Sequence, residues 1–294
     1  MKDFLVQGIA NKGKVRIIVC NSTNMVKEAQ QLHDLWSSSC IALGRTLSIG
    51  TLMSAMLKSE QEKIIIQING GGAIGQIVAE CYATGKARGY VSDPHVSLKY
   101  NDTNIDAVGM AVGKDGYLRV IRDISLKDDF TGAVALVSGE IGDDFAFYFT
   151  ASEQIPTAVS VGVNLDENQQ VKSAGAIIIQ MMPGASDEDI CEAEAALKRF
   201  PSVTALIEEG YNPKEIMLKY FPTAQVLLTR DIEFYCDCSK DRMQRALELI
   251  DKKDIKLMIK EDQGCEIGCN CCSKKYYFSK EELERFIEHG KMVH

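Results

Sequence analysis

The sequence has few of the features on which several large classes of protein depend. Its 294 residues include only four histidines, six prolines and one tryptophan. Its apolar runs, such as residues 176–179, are far shorter than the roughly 20 residues that a membrane-spanning helix needs. Residues 1–16 have neither the apolar core nor the small-residue cleavage site of a secretory signal. We therefore expect a cytoplasmic protein with no membrane partner.

Motifs for a catalytic apparatus are also missing. The sequence contains no GxSxG, HExxH or P-loop pattern. One GxGxxG match lies within residues 69–75, directly after a predicted strand. A dinucleotide site needs a helix after this motif, whereas residues 76–81 have the pattern of a strand. We interpret the glycines as a turn between strands, and we predict neither a catalytic site nor a cofactor-binding site, hence no enzyme.

Basic residues are fewer than acidic residues. The chain has 33 Lys and Arg residues against 41 Asp and Glu residues, a formal net charge of −8. Residues 231–294 alone carry 12 basic and 14 acidic residues. Proteins that bind nucleic acids are usually basic where they contact phosphate. The balance weighs against a nucleic-acid partner, although a zinc-ribbon nucleic-acid-binding protein stays open as an alternative.

Cysteine, by contrast, is plentiful, with ten residues. A disulfide framework is not expected in the cytosol, so these cysteines need another explanation. Four are isolated and are predicted to be buried as small apolar side chains: Cys20, Cys40, Cys81 and Cys191. The other six fall within 37 residues: Cys236, Cys238, Cys265, Cys269, Cys271 and Cys272.

The clustered cysteines include two local pairs with metal-ligand spacing. Cys236 and Cys238 form a CxC pair, and Cys269 and Cys272 form a CxxC pair after 30 intervening residues. Structural zinc takes four ligands in a tetrahedron and readily accepts thiolates. Two such pairs therefore predict a site for one zinc ion. A small acidic segment with few large apolar residues also needs a cross-link, such as a bound metal ion, in order to fold.

Two further thiols leave the ligand set partly open. Cys265 or Cys271 could replace one of the four ligands. Cys271 and Cys272 are adjacent, so their side chains diverge, and we favour Cys272. Close cysteine pairs can also be oxidised to a disulfide once the metal leaves. This chemistry permits a redox switch, and it leaves a thiol oxidoreductase with a catalytic CxxC as a second alternative.

The pattern of apolar residues predicts an α+β fold with three parts. Residues 1–182 read as a large N-terminal core domain with a mixed sheet. Residues 183–230 read as a helical linker region, which we call the connector. Ser186 is its predicted first N-cap, and Asn212 precedes a second helix with Pro213 at the first position. Residues 231–294 form a small C-terminal zinc-binding domain.

Several segments of the chain resemble one known family. They are residues 42–58 (ALGRTLSIGTLMSAMLK), 87–94 (ARGYVSDP), 116–132 (GYLRVIRDISLKDDFTG), 136–163 (LVSGEIGDDFAFYFTASEQIPTAVSVGV), 174–185 (AGAIIIQMMPGA), 236–239 (CDCS) and 266–283 (EIGCNCCSKKYYFSKEEL). The chain is similar, over nearly its whole length, to the redox-regulated bacterial chaperones of the heat-shock protein thirty-three type. This family is also called the 33 kDa chaperonins.

The resemblance implies a function and a set of site residues. It implies an ATP-independent holdase that is inactive while Cys236, Cys238, Cys269 and Cys272 hold zinc as thiolates. Oxidation would form the disulfides Cys236–Cys238 and Cys269–Cys272 and expel the zinc. The C-terminal domain would then unfold and release the connector, apolar surface would bind unfolding client proteins, and a homodimer would form. The chain departs from the family pattern at Cys271 and carries Cys265 in addition, and both thiols make disulfide shuffling possible.

Overall fold

The computed structural model of the chain describes residues 2–101, 103, 105–124, 129–247 and 249–289. It contains two compact units, Met1–Tyr235 and Cys236–His294. The predicted α+β class is confirmed, with large sheets and helices ahead of a cysteine-bearing C-terminal unit. The three-part division at residues 182 and 230 stays a prediction. Residues 125–128 of the family-like segment 116–132 lie outside the described residues.

Strands and helices alternate irregularly along the described residues. The strands are β1 (Phe4–Ala10), β2 (Val15–Asn21), β3 (Lys63–Asn69), β4 (Gln76–Tyr82), β5 (Lys86–Val91), β6 (Tyr117–Asp123), β7 (Phe130–Ala135), β8 (Thr157–Leu165), β9 (Val171–Met181), β10 (Gln225–Asp231), β11 (Glu233–Phe234), β12 (Gly264–Gly268) and β13 (Lys275–Ser279). The helices are α1 (Thr23–His33), α2 (Ser37–Ser54), α3 (Val108–Val112), α4 (Gly142–Ala151), α5 (Asp187–Arg199), α6 (Val203–Glu208), α7 (Pro213–Tyr220), α8 (Lys240–Leu247), α9 (Lys252–Asp262) and α10 (Lys280–His289).

The N-terminal unit is built on two sheets. The first has the strand order β10-β1-β2-β9-β8 and is antiparallel throughout. The second has the order β11-β5-β4-β3-β6-β7 and is antiparallel except for the short parallel pair β11 and β5. The second sheet is therefore mixed, and its parallel pair is contributed by β11, which lies in the segment predicted to belong to the C-terminal domain.

Helix α2 forms the centre of the larger core. Its sequence is apolar or small on every side, and all but one of its 18 residues are buried. It contacts strands of both sheets, including β4 and β9. Polar side chains on this helix bond back to its own carbonyls, such as Thr46 Oγ1 to Ala42 O at 2.8 Å. A buried helix of this kind can carry Ser and Thr because each hydroxyl keeps a partner.

The connector packs on the face of the first sheet. Ser186 and Asn212 cap α5 and α7 as predicted, each in a reciprocal capping box. The sheet contributes buried apolar side chains to a second core: Val6, Ala10, Val15, Ile17, Val19, Ile177 and Ile179. The connector contributes Ala196, Leu206, Ile216, Met217 and Phe221. These connector side chains are thus covered in this conformation, whereas Ile190 of α5 is exposed.

Helix α5 has a smaller fraction of buried residues than the other two connector helices. Only Ala193 and Ala196 of its 13 residues are buried. Cys191 of this helix is exposed, so the prediction that all four isolated cysteines are buried is wrong at that position. Cys20, Cys40 and Cys81 are buried as predicted.

Among the described residues, no helix has both the length and the apolar character required to span a bilayer.

The C-terminal unit has a small core of its own. Three helices and the β12–β13 hairpin surround a few buried apolar side chains: Leu247, Ile255, Phe278, Leu283 and Phe286. A core of five such residues stabilises a unit of this size only marginally. The unit therefore needs a further source of stability.

Candidate metal centre

The CxC pair lies at the entry to helix α8. Ser239 Oγ accepts a hydrogen bond from the backbone N–H of Arg242 at 3.2 Å, which fixes the start of the helix. The Arg242 guanidinium also donates to Asp237 Oδ1 at 2.7 Å. The residue between the two cysteines is thus tied to the first turn of α8, and both thiols are held in one short segment.

The CxxC pair occupies the turn of the β12–β13 hairpin. The backbone N–H of Cys269 donates to Lys274 O at 2.9 Å, and that of Ser273 donates to Cys269 O at 2.8 Å. Ser273 has a positive φ of 58°, which closes the turn tightly. Cys269 and Cys272 therefore stand at the two ends of one turn, where both sulfurs can approach a single ion.

The structure brings these four sulfurs together. The Sγ atoms of Cys236, Cys238, Cys269 and Cys272 all lie within 4.8 Å of one another. Cys236 Sγ is 3.6 Å from Cys269 Sγ, and Cys238 Sγ is 3.3 Å from Cys272 Sγ. Zinc–thiolate bonds of about 2.3 Å in a tetrahedron place the sulfurs about 3.8 Å apart. The group has the size and the donor set of a four-thiolate metal site.

The thiols of Cys238 and Cys272 differ in how readily they lose a proton. Burial alone would raise the pKa of Cys238, but hydrogen bonds from Tyr276 and from the other three thiols outweigh burial and lower it. Burial and the hydrogen bond to Cys238 raise the pKa of Cys272. Cys238 therefore gives up its proton more readily than Cys272 does. A cation can displace those protons, because metal ligation requires deprotonated cysteines.

The two additional thiols lie apart from the group of four sulfurs. Cys265 is on β12 opposite Phe278 and packs against the core of the C-terminal unit. Burial raises the pKa of its thiol. Cys271 is half-buried in the hairpin turn, between two members of the pair. Neither thiol is a member of the group of four sulfurs, and the choice of Cys269 and Cys272 as ligands stays a prediction.

The glycine motif at residues 69–75 is a turn, as predicted. It joins the antiparallel strands β3 and β4, and no helix follows it. A Cβ atom on Gly70 would lie 2.2 Å from Gly113 O, and one on Gly72 would lie 2.4 Å from Ala111 O. The glycines therefore allow two stretches of backbone to approach closely, which explains the motif without a dinucleotide.

Comparison with known proteins places the chain in a family. The family model described as Hsp33 protein matches residues 3–279. The chain belongs to the Hsp33 family. The resemblance inferred from the sequence is thereby confirmed.

Curated relatives match over nearly their whole length. The 33 kDa chaperonin of Halalkalibacterium halodurans is 43% identical over 290 residues, which are 98% of this chain and 99% of the relative. The 33 kDa chaperonin of Bacillus velezensis is 44% identical over 283 residues, or 96% and 97% of the two chains. The alignments therefore cover nearly all of this Hsp33 family member and of both relatives.

A solved structure shows the same fold. The crystal structure of the 33 kDa chaperonin from Thermotoga maritima has a TM-score of 0.91 and 34% sequence identity to this chain. The match covers 99% of each chain. The Hsp33 fold therefore extends across both the N-terminal unit and the cysteine-bearing C-terminal unit.

Proposed function

We propose that the chain is a redox-regulated, ATP-independent chaperone that holds unfolding proteins under oxidative stress. In the reduced state, Cys236, Cys238, Cys269 and Cys272 hold one zinc ion as thiolates and the protein is inactive. The observation that carries this proposal is the convergence of these four sulfurs within 4.8 Å in a member of the Hsp33 family. The same convergence explains how a unit with so small a core stays folded.

Oxidation converts the four ligands into two disulfides. A thiolate attacks hydrogen peroxide, so that an S–O bond forms while the O–O bond breaks and hydroxide leaves. A neighbouring thiolate then displaces hydroxide from that sulfur and forms the S–S bond. Two thiolates lose two electrons to each peroxide. We propose the pairs Cys236–Cys238 and Cys269–Cys272, and neither disulfide retains the thiolates that zinc requires.

Loss of the metal removes most of the stability of the C-terminal unit. Structural zinc contributes about 10–16 kcal/mol to folding in zinc-finger peptides. The small apolar core formed by the described residues of this unit must offset the conformational entropy of ordering the chain, and it does not do so without that contribution. We propose that the unit unfolds on oxidation and that helices α5, α6 and α7 of the connector then leave the first sheet, while β10 stays paired in it.

The surface that binds clients is the apolar core between the connector and that sheet. Release of α5, α6 and α7 uncovers the β-branched face formed by residues such as Ile17, Val19, Ile177 and Ile179. A continuous apolar face of this kind binds other apolar chains rather than remaining in water. We propose unfolded or partly folded proteins as partners in the cytoplasm, together with a homodimer of the oxidised chain. Neither a nucleic acid nor an enzymatic reaction is part of this function.

Light scattering from a thermally unfolding client protein tests the proposal. The chain is added either reduced with zinc or oxidised with peroxide at elevated temperature, in a buffer without ATP. We expect suppression of aggregation by the oxidised form alone. Equal suppression by both forms would contradict redox regulation, and no suppression by either form would contradict the chaperone function.

A further inference from the structure

One aromatic hydroxyl points at the group of four sulfurs. Tyr276 Oη lies 3.1 Å from Cys238 Sγ and 2.9 Å from Cys238 O. Tyr276 is on β13, directly opposite Ile267 of β12, and its ring is half-buried beside the core of the C-terminal unit. The ring position is therefore fixed by the hairpin, and the hydroxyl reaches both the sulfur and the backbone of one cysteine.

We propose that Tyr276 is a positioning residue for Cys238, which retains the sulfur in the metal centre and slows its oxidation. The inference rests on the proposed zinc site and adds a residue to it. A phenolic O–H shared between the sulfur and the carbonyl of one residue restricts the rotation of that side chain. Lys274 Nζ lies 5.4 Å from the centre of the Tyr276 ring, and this cation–π contact helps to hold the ring in place.

The hydrogen bond acts on the first step of oxidation. In that step the Cys238 sulfur gives an electron pair to a peroxide oxygen, the S–O bond forms, the O–O bond breaks and hydroxide leaves. A donor on the sulfur stabilises the thiolate more than the less charged transition state, so the attack becomes slower. A metal-ligating side chain that loses its outer hydrogen bond also binds metal more weakly, typically by about 10- to 100-fold.

The neighbouring tyrosine provides a matched control. Tyr277 follows Tyr276 on the same strand, so its side chain lies on the opposite face of the hairpin. Its hydroxyl donates to Gln263 O at 3.4 Å, and 59% of its surface is exposed. Tyr276→Phe and Tyr277→Phe therefore remove the same atom from adjacent positions, and only the first removal affects the sulfur group.

The test uses the full reduced chain loaded with zinc. Zinc affinity is measured by competition with a chromogenic chelator, and zinc release is timed after addition of hydrogen peroxide. We expect Tyr276→Phe to weaken zinc binding about 10- to 100-fold and to speed release at least several-fold. Tyr277→Phe should match the unsubstituted chain in both measurements. Equal behaviour of Tyr276→Phe and the unsubstituted chain would overturn the inference.

A spectroscopic measurement separates positioning from a general loss of stability. Cobalt(II) in place of zinc gives a sulfur-to-metal charge-transfer band. Loss of a hydrogen bond to sulfur should move this band to longer wavelength in Tyr276→Phe and leave it in place in Tyr277→Phe. Complete loss of metal from Tyr276→Phe would overturn the inference, because one outer hydrogen bond does not account for it. Failure of the unsubstituted chain to bind zinc would instead refute the proposed function.

Discussion

The Sγ atoms of Cys238 and Cys272 lie 3.3 Å apart, although the two residues are 34 positions apart in the sequence. The Sγ atoms of Cys236 and Cys269 form a similar contact at 3.6 Å. Each thiol of the CxC segment therefore touches a thiol of the hairpin turn. A metal ion at this point would tie the start of α8 to the β12–β13 turn and would close the C-terminal unit as a cross-link.

Single serine substitutions should separate ligands from bystanders. We expect Cys269→Ser and Cys272→Ser to lose stoichiometric zinc, because three thiolates leave one vertex of the tetrahedron without its preferred donor. Cys271→Ser is the matched control, since it removes from the same turn a thiol that is not one of the four grouped sulfurs. Zinc content of the reduced proteins is measured after gel filtration. Loss of zinc from Cys271→Ser, with full retention in Cys272→Ser, would contradict the ligand set.

Removal of the metal should unfold the C-terminal unit and leave the main core of the N-terminal unit folded. We expect a strong chelator to expose the chain after Tyr235 and the connector helices α5, α6 and α7 to protease, while the part of the N-terminal unit before the connector survives as a resistant fragment. The reason is that the C-terminal core contains five buried apolar residues, whereas the N-terminal unit has two extended cores. Limited proteolysis followed by mass spectrometry gives the cleavage sites. An identical pattern with and without chelator would show that the unit folds without metal.

The candidate site could be predicted from the sequence because its signal is local. A CxC pair and a CxxC pair indicate a metal site through spacing alone, and Ser239 marks the helix that follows. The contribution of Tyr276 could not be predicted in this way. Its hydroxyl reaches Cys238 because β12 and β13 pair in one particular register. The sequence of residues 264–268 does not by itself predict strand β12, so this register cannot be inferred from it.

The strands and helices can be predicted well where apolar residues recur at a regular spacing, and less well where this spacing is irregular. Strand β10 was not predicted, because it lies at a sheet edge with Leu227 exposed and pairs with β1 more than 200 positions earlier. Such a partner leaves no local trace in the sequence. The exposure of Cys191, by contrast, could have been predicted. At 3.6 residues per turn it lies about 200° around the helix from Ala193, on the side opposite the apolar stripe.

Loosening the connector should activate the reduced protein in part. Leu206 on α6 is only 1% exposed and packs in the second core. We expect Leu206→Ala to weaken connector docking by about 2–5 kcal/mol and to give measurable suppression of client aggregation without oxidant. Ile190→Ala is the control on α5, where the side chain is 38% exposed and the expected change is within about 0.5 kcal/mol. Activation by both substitutions, or by neither, would contradict the role of the connector.

The pair of Glu80 and Arg88 should give the N-terminal unit a pH dependence. Arg88 Nη2 is 2.8 Å from Glu80 Oε2, and the Arg88 side chain is only 3% exposed. Burial alone would raise the pKa of Glu80, but the hydrogen bond and charge of Arg88 outweigh burial and hold it below the ordinary 4.5. Because the folded-state pKa is lowered, the stabilisation is complete above pH 4.5 and is lost as the pH falls through the lowered value.

Urea unfolding of Glu80→Gln tests this dependence. At pH 7 we expect a loss of about 3–5 kcal/mol, since Arg88 is left buried without its anionic partner. The difference from the unsubstituted chain should narrow as the pH falls below 4.5. Glu167→Gln, in the exposed turn between β8 and β9, is the control and should leave stability at pH 7 within about 0.5 kcal/mol of the unsubstituted chain. A difference that stays constant down to acidic pH would show that the Glu80 charge is not responsible.

In the proposed mechanism, loss of zinc and gain of client binding are one event. Both can be followed in a single sample after addition of peroxide, with a chromogenic chelator reporting zinc and light scattering reporting client aggregation. We expect suppression of aggregation to rise with the same time course as zinc release, or after it, and both to be slowed together by a reductant. Full suppression while the zinc is still bound to the protein would show that the two events are separate.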